Sequence, residues 1–268
     1  MEPSRTSQIV ALIRAELNRP STPLGDPYAQ RKLCSDMRPI RTTRQWSSIT
    51  ARTHFFDEQV LKAVAAGLDQ IVICGAGYDD RALRFRTPGV KFFELDQATT
   101  QTDKARRLRK IGANVDALVL IPADFRHDDA AKLLRDSGYR ASQPTLFVCE
   151  GLLIYLDQGA VARLLGGLRS IASPRSTLVA SLALRRTGVD PGRVLESANT
   201  RRLTGRMEPW VTILSAAEYT ELFSQAGWDV GPGTEAGASS SHLMLVTARP
   251  STVSASPLST RLEGFRSP

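Results

Sequence analysis

Residues Ile71-Val72-Ile73-Cys74-Gly75-Ala76-Gly77-Tyr78-Asp79-Asp80-Arg81 begin like a dinucleotide-binding turn and then depart from it. A short apolar run leads into Gly75-Ala76-Gly77, as expected where a buried strand ends in a tight turn that lets a ligand approach. The third glycine of Gly-x-Gly-x-x-Gly falls where the chain has Asp80, with Asp79 before it. Taken alone, Gly-x-Gly is weak, because any tight turn ahead of a helix can use it. Two carboxylates beside it argue against a pyrophosphate at this turn.

Outward from this stretch the rhythm is regular. The apolar runs QIVICGAG, VKFFELD, ALVLIPAD, TLFVCEG and TLVASLAL alternate with the amphipathic segments DRALRF, TTQTDKARRLRKIG, HDDAAKLLRDSG and QGAVARLLGGLRSIA. Strands alternating with helices imply βαβ units and a mostly parallel sheet. The expected fold is α/β, a doubly wound Rossmann-like sheet whose ligand site lies at the carboxyl ends of the strands. Before the first strand, residues 5–18 and 47–67 carry helical apolar patterns separated by a Pro/Ser/Gly loop, so residues 1–68 are expected to form an N-terminal helical cap. The core is expected over 69–250, with a polar insert at 185–212 and an antiparallel C-terminal hairpin from WDVG and HLMLVTA. Residues 251–268, poor in large apolar side chains, are expected to be a disordered tail.

Composition narrows the function. The 268 residues are 42% hydrophobic and 23% charged, ordinary for a protein with one large core. No apolar run approaches the roughly 18 residues that span a bilayer, and the N-terminus lacks a signal-peptide core, so a cytoplasmic protein is expected. The net charge of +8 comes from scattered arginines without an interleaved aromatic stripe, so nucleic acid is not the expected partner. Cys34, Cys74 and Cys149 stand alone among apolar neighbours and read as small buried hydrophobes, with no metal site expected.

The strand ends carry the chemistry. Asp96, about 20 residues past the glycines, suits a ribose diol. Asp124 and Phe125 suit an adenine amine and face, and Glu150 follows the fourth strand. A cofactor with adenosine, no phosphate and positive groups fits an acidic rim of Asp79, Asp80, Asp96, Asp124 and Glu150. S-adenosylmethionine is such a molecule, and its own carboxylate requires a cation from elsewhere in the chain.

Further motifs extend this pattern: Asp26-Pro27-Tyr28-Ala29-Gln30, Ala51-Arg52-Thr53, Phe92-Phe93-Glu94-Leu95-Asp96, Ala123-Asp124-Phe125-Arg126, Glu150-Gly151-Leu152-Leu153-Ile154-Tyr155-Leu156 and Glu208-Pro209-Trp210. With them the chain resembles the leucine carboxyl methyltransferase family of class I S-adenosylmethionine-dependent O-methyltransferases. Glu-Gly-Leu-Leu-x-Tyr-Leu is the most specific of these motifs. The resemblance implies that Arg52 holds the cofactor carboxylate and that Gly75, Ala76 and Gly77 form the turn beneath the methionine part. It also implies Asp96 at the ribose, Asp124 and Phe125 at the adenine, Glu150 near the ammonium, and a structural role for Arg81. The family builds its acceptor pocket from the N-terminal helices and the insert, which points to Tyr28, Trp46, Arg201 and Trp210 as substrate-binding residues.

The function this implies is an S-adenosylmethionine-dependent O-methyltransferase acting on a carboxylic acid or hydroxyl of a small secondary metabolite. A protein C-terminal carboxyl or tRNA-nucleoside methyltransferase, or a non-catalytic cofactor-binding interaction protein, is the alternative. A small-molecule acceptor is the expected partner, a homo-oligomer is allowed, and no membrane is implicated. His54, His127 and His242 read as ordinary histidines, so no catalytic residue is assigned.

Overall fold

The computed structural model describes residues 3–38, 46–185, 209–235 and 243–252. Three helices, α1 (Arg5–Ala15), α2 (Ala29–Leu33) and α3 (Trp46–Ala65), precede β1 (Gln70–Cys74). There follow α4 (Arg81–Arg84), β2 (Lys91–Asp96), α5 (Ala98–Lys110), β3 (Leu118–Pro122), α6 (Ala130–Asp136) and β4 (Thr145–Cys149). A 3-10 turn at Leu153–Tyr155 leads to α7 (Gln158–Ile171) and β5 (Thr177–Ala183). The chain ends in α8 (Ala216–Gln225), β6 (Trp228–Val230), β7 (Thr234–Glu235) and β8 (Leu243–Pro250).

The strands form one sheet in the order β3-β2-β1-β4-β5-β8-β6, with β7 also on β8. The first five are parallel, and β8 runs antiparallel to β5, β6 and β7. The expected architecture is therefore present, including the antiparallel closure, with two-residue β7 as an addition. From β1 the chain adds strands in one direction, then returns to add β4 on the other side. That reversal opens a crevice at the carboxyl ends of β1 and β4.

Period-2 alternation sorts the strand side chains into two layers. Val72, Cys74, Phe93, Leu95, Phe147 and Cys149 pack against α6, α7 and α8. Ile71, Ile73, Phe92, Leu146 and Val148 pack against α3 and α4, where Phe56, Val60 and Ala63 form the inward stripe of α3. Because helices cover both faces, every residue of β1 and β4 is buried, and these strands read as continuous apolar runs. The helix starts carry their own signals: Asp157 caps α7 by accepting from the Ala160 N–H at 2.8 Å, and Ser215 with Glu218 forms a capping box on α8.

Short α2 has too few residues for a periodic signature, and tertiary ties hold it. The Gln30 side chain donates to the Tyr78 carbonyl at 2.9 Å, which fixes α2 to the turn after β1. Above the same turn lies α1, with Ser7 against Gly77.

Candidate active site

The turn after β1 is built from two left-handed glycines, Gly75 (φ +70) and Gly77 (φ +51). The N–H groups of Gly75 and Ala76 both donate to the Leu95 carbonyl, at 2.8 and 3.1 Å. That of Gly77 donates to Asp96 Oδ2 at 2.7 Å, and that of Asp79 to the Ala76 carbonyl at 2.9 Å. A phosphate-binding turn points such groups at its ligand; here they are committed to the protein. The turn accommodates close approach but offers no cradle for a pyrophosphate.

A cavity of about 190 Å³ opens over this turn. All eight residues expected to hold the cofactor border it: Arg52, Gly75, Ala76, Gly77, Asp96, Asp124, Phe125 and Glu150. Asp96 is oriented by the Gly77 N–H on one oxygen and by the Gln97 N–H, at 2.7 Å, on the other. A carboxylate so oriented at the end of β2 is the group type that accepts from a ribose diol. Asp124 accepts from the Arg126 N–H at 3.0 Å and pairs with His127 Nδ1 at 3.0 Å. The backbone bond above all, with His127 behind it, holds its carboxyl below the usual range. The Phe125 ring is buried beside it.

The acidic rim differs from its sequence reading. Asp79 and Asp80 were expected to face a cationic ligand, but buried guanidiniums neutralise both. Asp80 is fully buried between Arg19 and Arg84, each at 2.7 Å. Those two cations outweigh burial and lower its carboxyl to about 2. Asp79 pairs with Arg81 at 2.6 Å and Arg14 at 3.2 Å. Arg81, wholly buried, also reaches Asp57 at 2.7 Å and Glu150 at 2.8 Å. Its expected structural role is what these contacts describe.

Glu150 also needs correction. It borders the cavity, but its Oε1 is bound by Arg14 at 2.6 Å and Arg52 at 2.9 Å, and its Oε2 by Arg81. Three guanidiniums overcome the burial penalty and hold this carboxyl far below its ordinary value. Its charge is engaged by arginines rather than held open for an ammonium. Across the cluster, Arg14, Arg19, Arg52, Arg81 and Arg84 meet Asp57, Asp79, Asp80 and Glu150, five cations against four anions. One positive charge is in excess. Two of the cations, Arg14 and Arg52, border the cavity, and Arg14 Nε is buried without a partner. This wall suits the carboxylate of S-adenosylmethionine, and Asp96, Asp124 and Phe125 on the same cavity suit its ribose and adenine.

The sequence profile of the leucine carboxyl methyltransferase family matches residues 8–169, more than half of the chain. The chain belongs to the leucine carboxyl methyltransferase family. Within that span lie most of α1, the arginine cluster, the glycine turn and the Glu150–Leu156 motif. A protein of Mycolicibacterium smegmatis predicted to be an S-adenosyl-L-methionine-dependent methyltransferase is 35% identical over 192 residues, 65% of this chain and 64% of that one. One from Mycobacterium tuberculosis, predicted to have the same activity, is 44% identical over 128 residues, 47% of this chain and 42% of that one. The chain thus spans less than two thirds of the length of these relatives. Among solved structures, a predicted methyltransferase of Thermobifida fusca matches with a TM-score of 0.59 at 18% identity, covering 93% of this chain and 96% of that one. Magnesium protoporphyrin IX methyltransferase of Synechocystis, crystallised with bound SAH, matches with a TM-score of 0.55 at 14% identity, covering 82% and 94%. These likenesses concern the fold.

The remaining expected site residues separate. Tyr28 is 60% exposed and is not among the residues bordering the cavity. The reason is local: Ala29, Gln30 and Leu33 are the buried residues of α2, which turns Tyr28 outward, and Arg84 anchors the preceding Pro27 carbonyl at 2.6 Å. Arg201 and the Trp46 side chain lie outside the described residues, as does His242. Trp210 likewise is not among the residues bordering the cavity; it stands next to Val211 and Thr212, whose N–H groups both donate to the Ile154 carbonyl, at 2.7 and 3.2 Å. The 3-10 turn that receives them supplies Tyr155 to the cavity, with Leu152 and Leu156 on its flanks.

Two features of this family member escaped sequence reasoning. Arg14 reads as one more helix arginine; only its spacing from Ser7 and Val10 shows that it shares the cavity-facing stripe of α1. Glu94, below the glycine turn, is fully buried against Lys104, whose Nζ also donates to the Asp79 carbonyl at 2.7 Å. Burial, only partly offset by Lys104, pushes this carboxyl up to about 7.

Proposed function

We propose that this protein transfers a methyl group from S-adenosylmethionine to an oxygen of a small-molecule acceptor, a carboxylic acid or an acidic hydroxyl. The observation that carries this proposal is the order of groups around one cavity. Arg52 and Arg14 stand at one side, the Gly75–Gly77 turn and Asp96 in the middle, and Asp124 with Phe125 beyond. These suit, in sequence, a carboxylate, a ribose and an adenine. When bound, S-adenosylmethionine supplies a methyl group on a positively charged sulfur.

The protein's part is to orient the partners and exclude water. Asp96, pinned by two backbone N–H groups, fixes the ribose end, and the arginines fix the carboxylate end. Leu152, Tyr155 and Leu156 give the cavity an apolar wall on the side of the β4 end. Among the described residues that border it, no histidine appears, and the carboxylates of Asp79 and Glu150 are held by guanidiniums. An acceptor already ionised at neutral pH needs no general base, which accords with this lining.

Isothermal titration with S-adenosylhomocysteine tests the cofactor part. Binding is expected, weakened about tenfold or more in Arg52→Ala and in Asp96→Ala, the scale of one charge-assisted hydrogen bond. No binding, or binding indifferent to both substitutions, refutes it. Mass spectrometry of acceptor mixtures, looking for a gain of one CH2, tests the transfer itself.

A further inference from the structure

Beneath the glycine turn, Glu94, Gln101 and Lys104 bring three polar side chains into the interior, almost fully buried between β2 and α5. Lys104 Nζ pairs with Glu94 Oε2 and donates to the Asp79 carbonyl at 2.7 Å, so one ammonium ties β2 to the end of the turn. Gln101 Nε2 donates to the Glu94 carbonyl at 2.7 Å and anchors α5 on the same strand. Among the described residues, Glu94 Oε1 and Gln101 Oε1 are buried without a donor. One ammonium and one amide thus face a surplus of acceptors, which a proton on Glu94 reduces. The charges around Glu94 are mixed. Asp79 at the turn and Asp96 on its own strand repel an ionised Glu94, and Lys104 of α5 attracts it. Asp79 is itself paired with Arg14 of α1 and Arg81 of α4, and the ladder neighbours Ile73 and Leu120 are apolar. Burial above all raises the carboxyl to about 7, so both of its forms are populated at neutral pH. Asp96, two residues along β2, shares the Glu94 side of the strand and borders the cavity. A positive charge bound over Asp96 therefore also acts on Glu94. S-adenosylmethionine carries a sulfonium there, whereas S-adenosylhomocysteine, its product, has lost that charge and is otherwise charged alike.

We propose that Glu94 and Lys104 are a positioning pair that discriminates the charged cofactor from its net-neutral product by exchanging a proton with solvent. Binding of S-adenosylmethionine releases the Glu94 proton to solvent, and the carboxylate so formed strengthens the Lys104 bridge to the turn. Loss of the sulfonium charge on methyl transfer lets Glu94 take a proton back, and the hold on the spent cofactor relaxes. By linkage, affinity for S-adenosylmethionine rises with pH across the range in which Glu94 titrates, while that for S-adenosylhomocysteine stays nearly level. The inference rests on the methyl-transfer reading of the same cavity.

The test is isothermal titration of wild type and Glu94→Gln with each ligand across the neutral pH range, repeated at neutral pH in phosphate and in Tris, whose heats of ionisation differ. Titration of the ligands' own amino groups is common to both proteins and cancels in the comparison. For S-adenosylmethionine, the affinity of wild type relative to Glu94→Gln should rise about threefold or more from about pH 6 to about pH 8, the scale of half a pKa unit. Its binding to wild type should also release a fraction of a proton that Glu94→Gln does not release. S-adenosylhomocysteine should show neither difference. A double Glu94→Gln/Lys104→Gln variant, which leaves no unpaired buried charge in the pair, takes the place of the single one if that does not fold. Wild type that tracks the variant at every pH, or an equal pH response to both ligands, overturns the inference. Failure of both ligands to bind overturns the underlying function instead, so the two failures are distinguishable.

Discussion

Replacing Glu150 with glutamine separates two roles for this residue, anchor of an arginine cage or contact for the cofactor's ammonium. In the structure its two oxygens receive Arg14, Arg52 and Arg81 at 2.6, 2.9 and 2.8 Å, and the side chain is almost completely buried. The substitution keeps the shape and removes one negative charge, so the excess in the cluster rises from one positive charge to two. Breaking a buried pair by removing one partner costs about 3–5 kcal/mol, because the charge left behind is not resolvated. For a chain of this size that corresponds to a fall in melting temperature of roughly 10 °C. The sign with pH follows from the depressed carboxyl. Its stabilisation is present above the ordinary carboxylate range and is lost only as pH falls through the lower folded-state value. Urea unfolding of wild type and Glu150→Gln should therefore differ by a constant amount between about pH 5.5 and 8. Titration with S-adenosylhomocysteine completes the assay. If Glu150→Gln is as stable as wild type but binds the ligand far more weakly, the cage account is wrong and the ammonium contact stands.

Two further perturbations test the contacts beneath and above the glycine turn. A Cβ at Gly77 would fall 2.7 Å from Ser7 Cβ, at a left-handed φ. Gly77→Ala should cost about 2–4 kcal/mol in wild type and about 1–2 in a Ser7→Gly background, since only the clash is relieved. Equal costs by urea unfolding would remove α1 from its place over the turn. Glu94 is raised from 4.5 to about 7, chiefly by burial, with Lys104 opposing and Asp79 and Asp96 reinforcing. A raised carboxyl contributes stability that is present below its unfolded value and lost as pH rises through the folded one. Wild type should lose ~3 kcal/mol from this group between about pH 4.5 and 7, and Glu94→Gln should lack that slope in otherwise identical unfolding curves. Parallel curves for the two proteins would refute it.

What the sequence determined alone is the scaffold and the cofactor edge of the site. The runs around Val72, Phe93 and Phe147 are legible because a strand covered on both faces is largely apolar. Gly75, Gly77, Asp96, Asp124 and Phe125 are legible because strand ends in this topology converge on one crevice, so position along the chain already implies position in space. Pairing between distant side chains is not encoded that way. Asp79, Asp80 and Glu150 look like an open acidic rim when counted along the chain. Only the packing of α1 and α3 over the strand ends brings Arg14, Arg19 and Arg52 to them. The packing of α2 turns Tyr28 to solvent, and the Trp210 indole N–H is buried without a hydrogen-bond partner among the described residues. Local periodicity reports which face of an element is buried, whereas charge compensation depends on which elements meet, and that is decided by the tertiary fold.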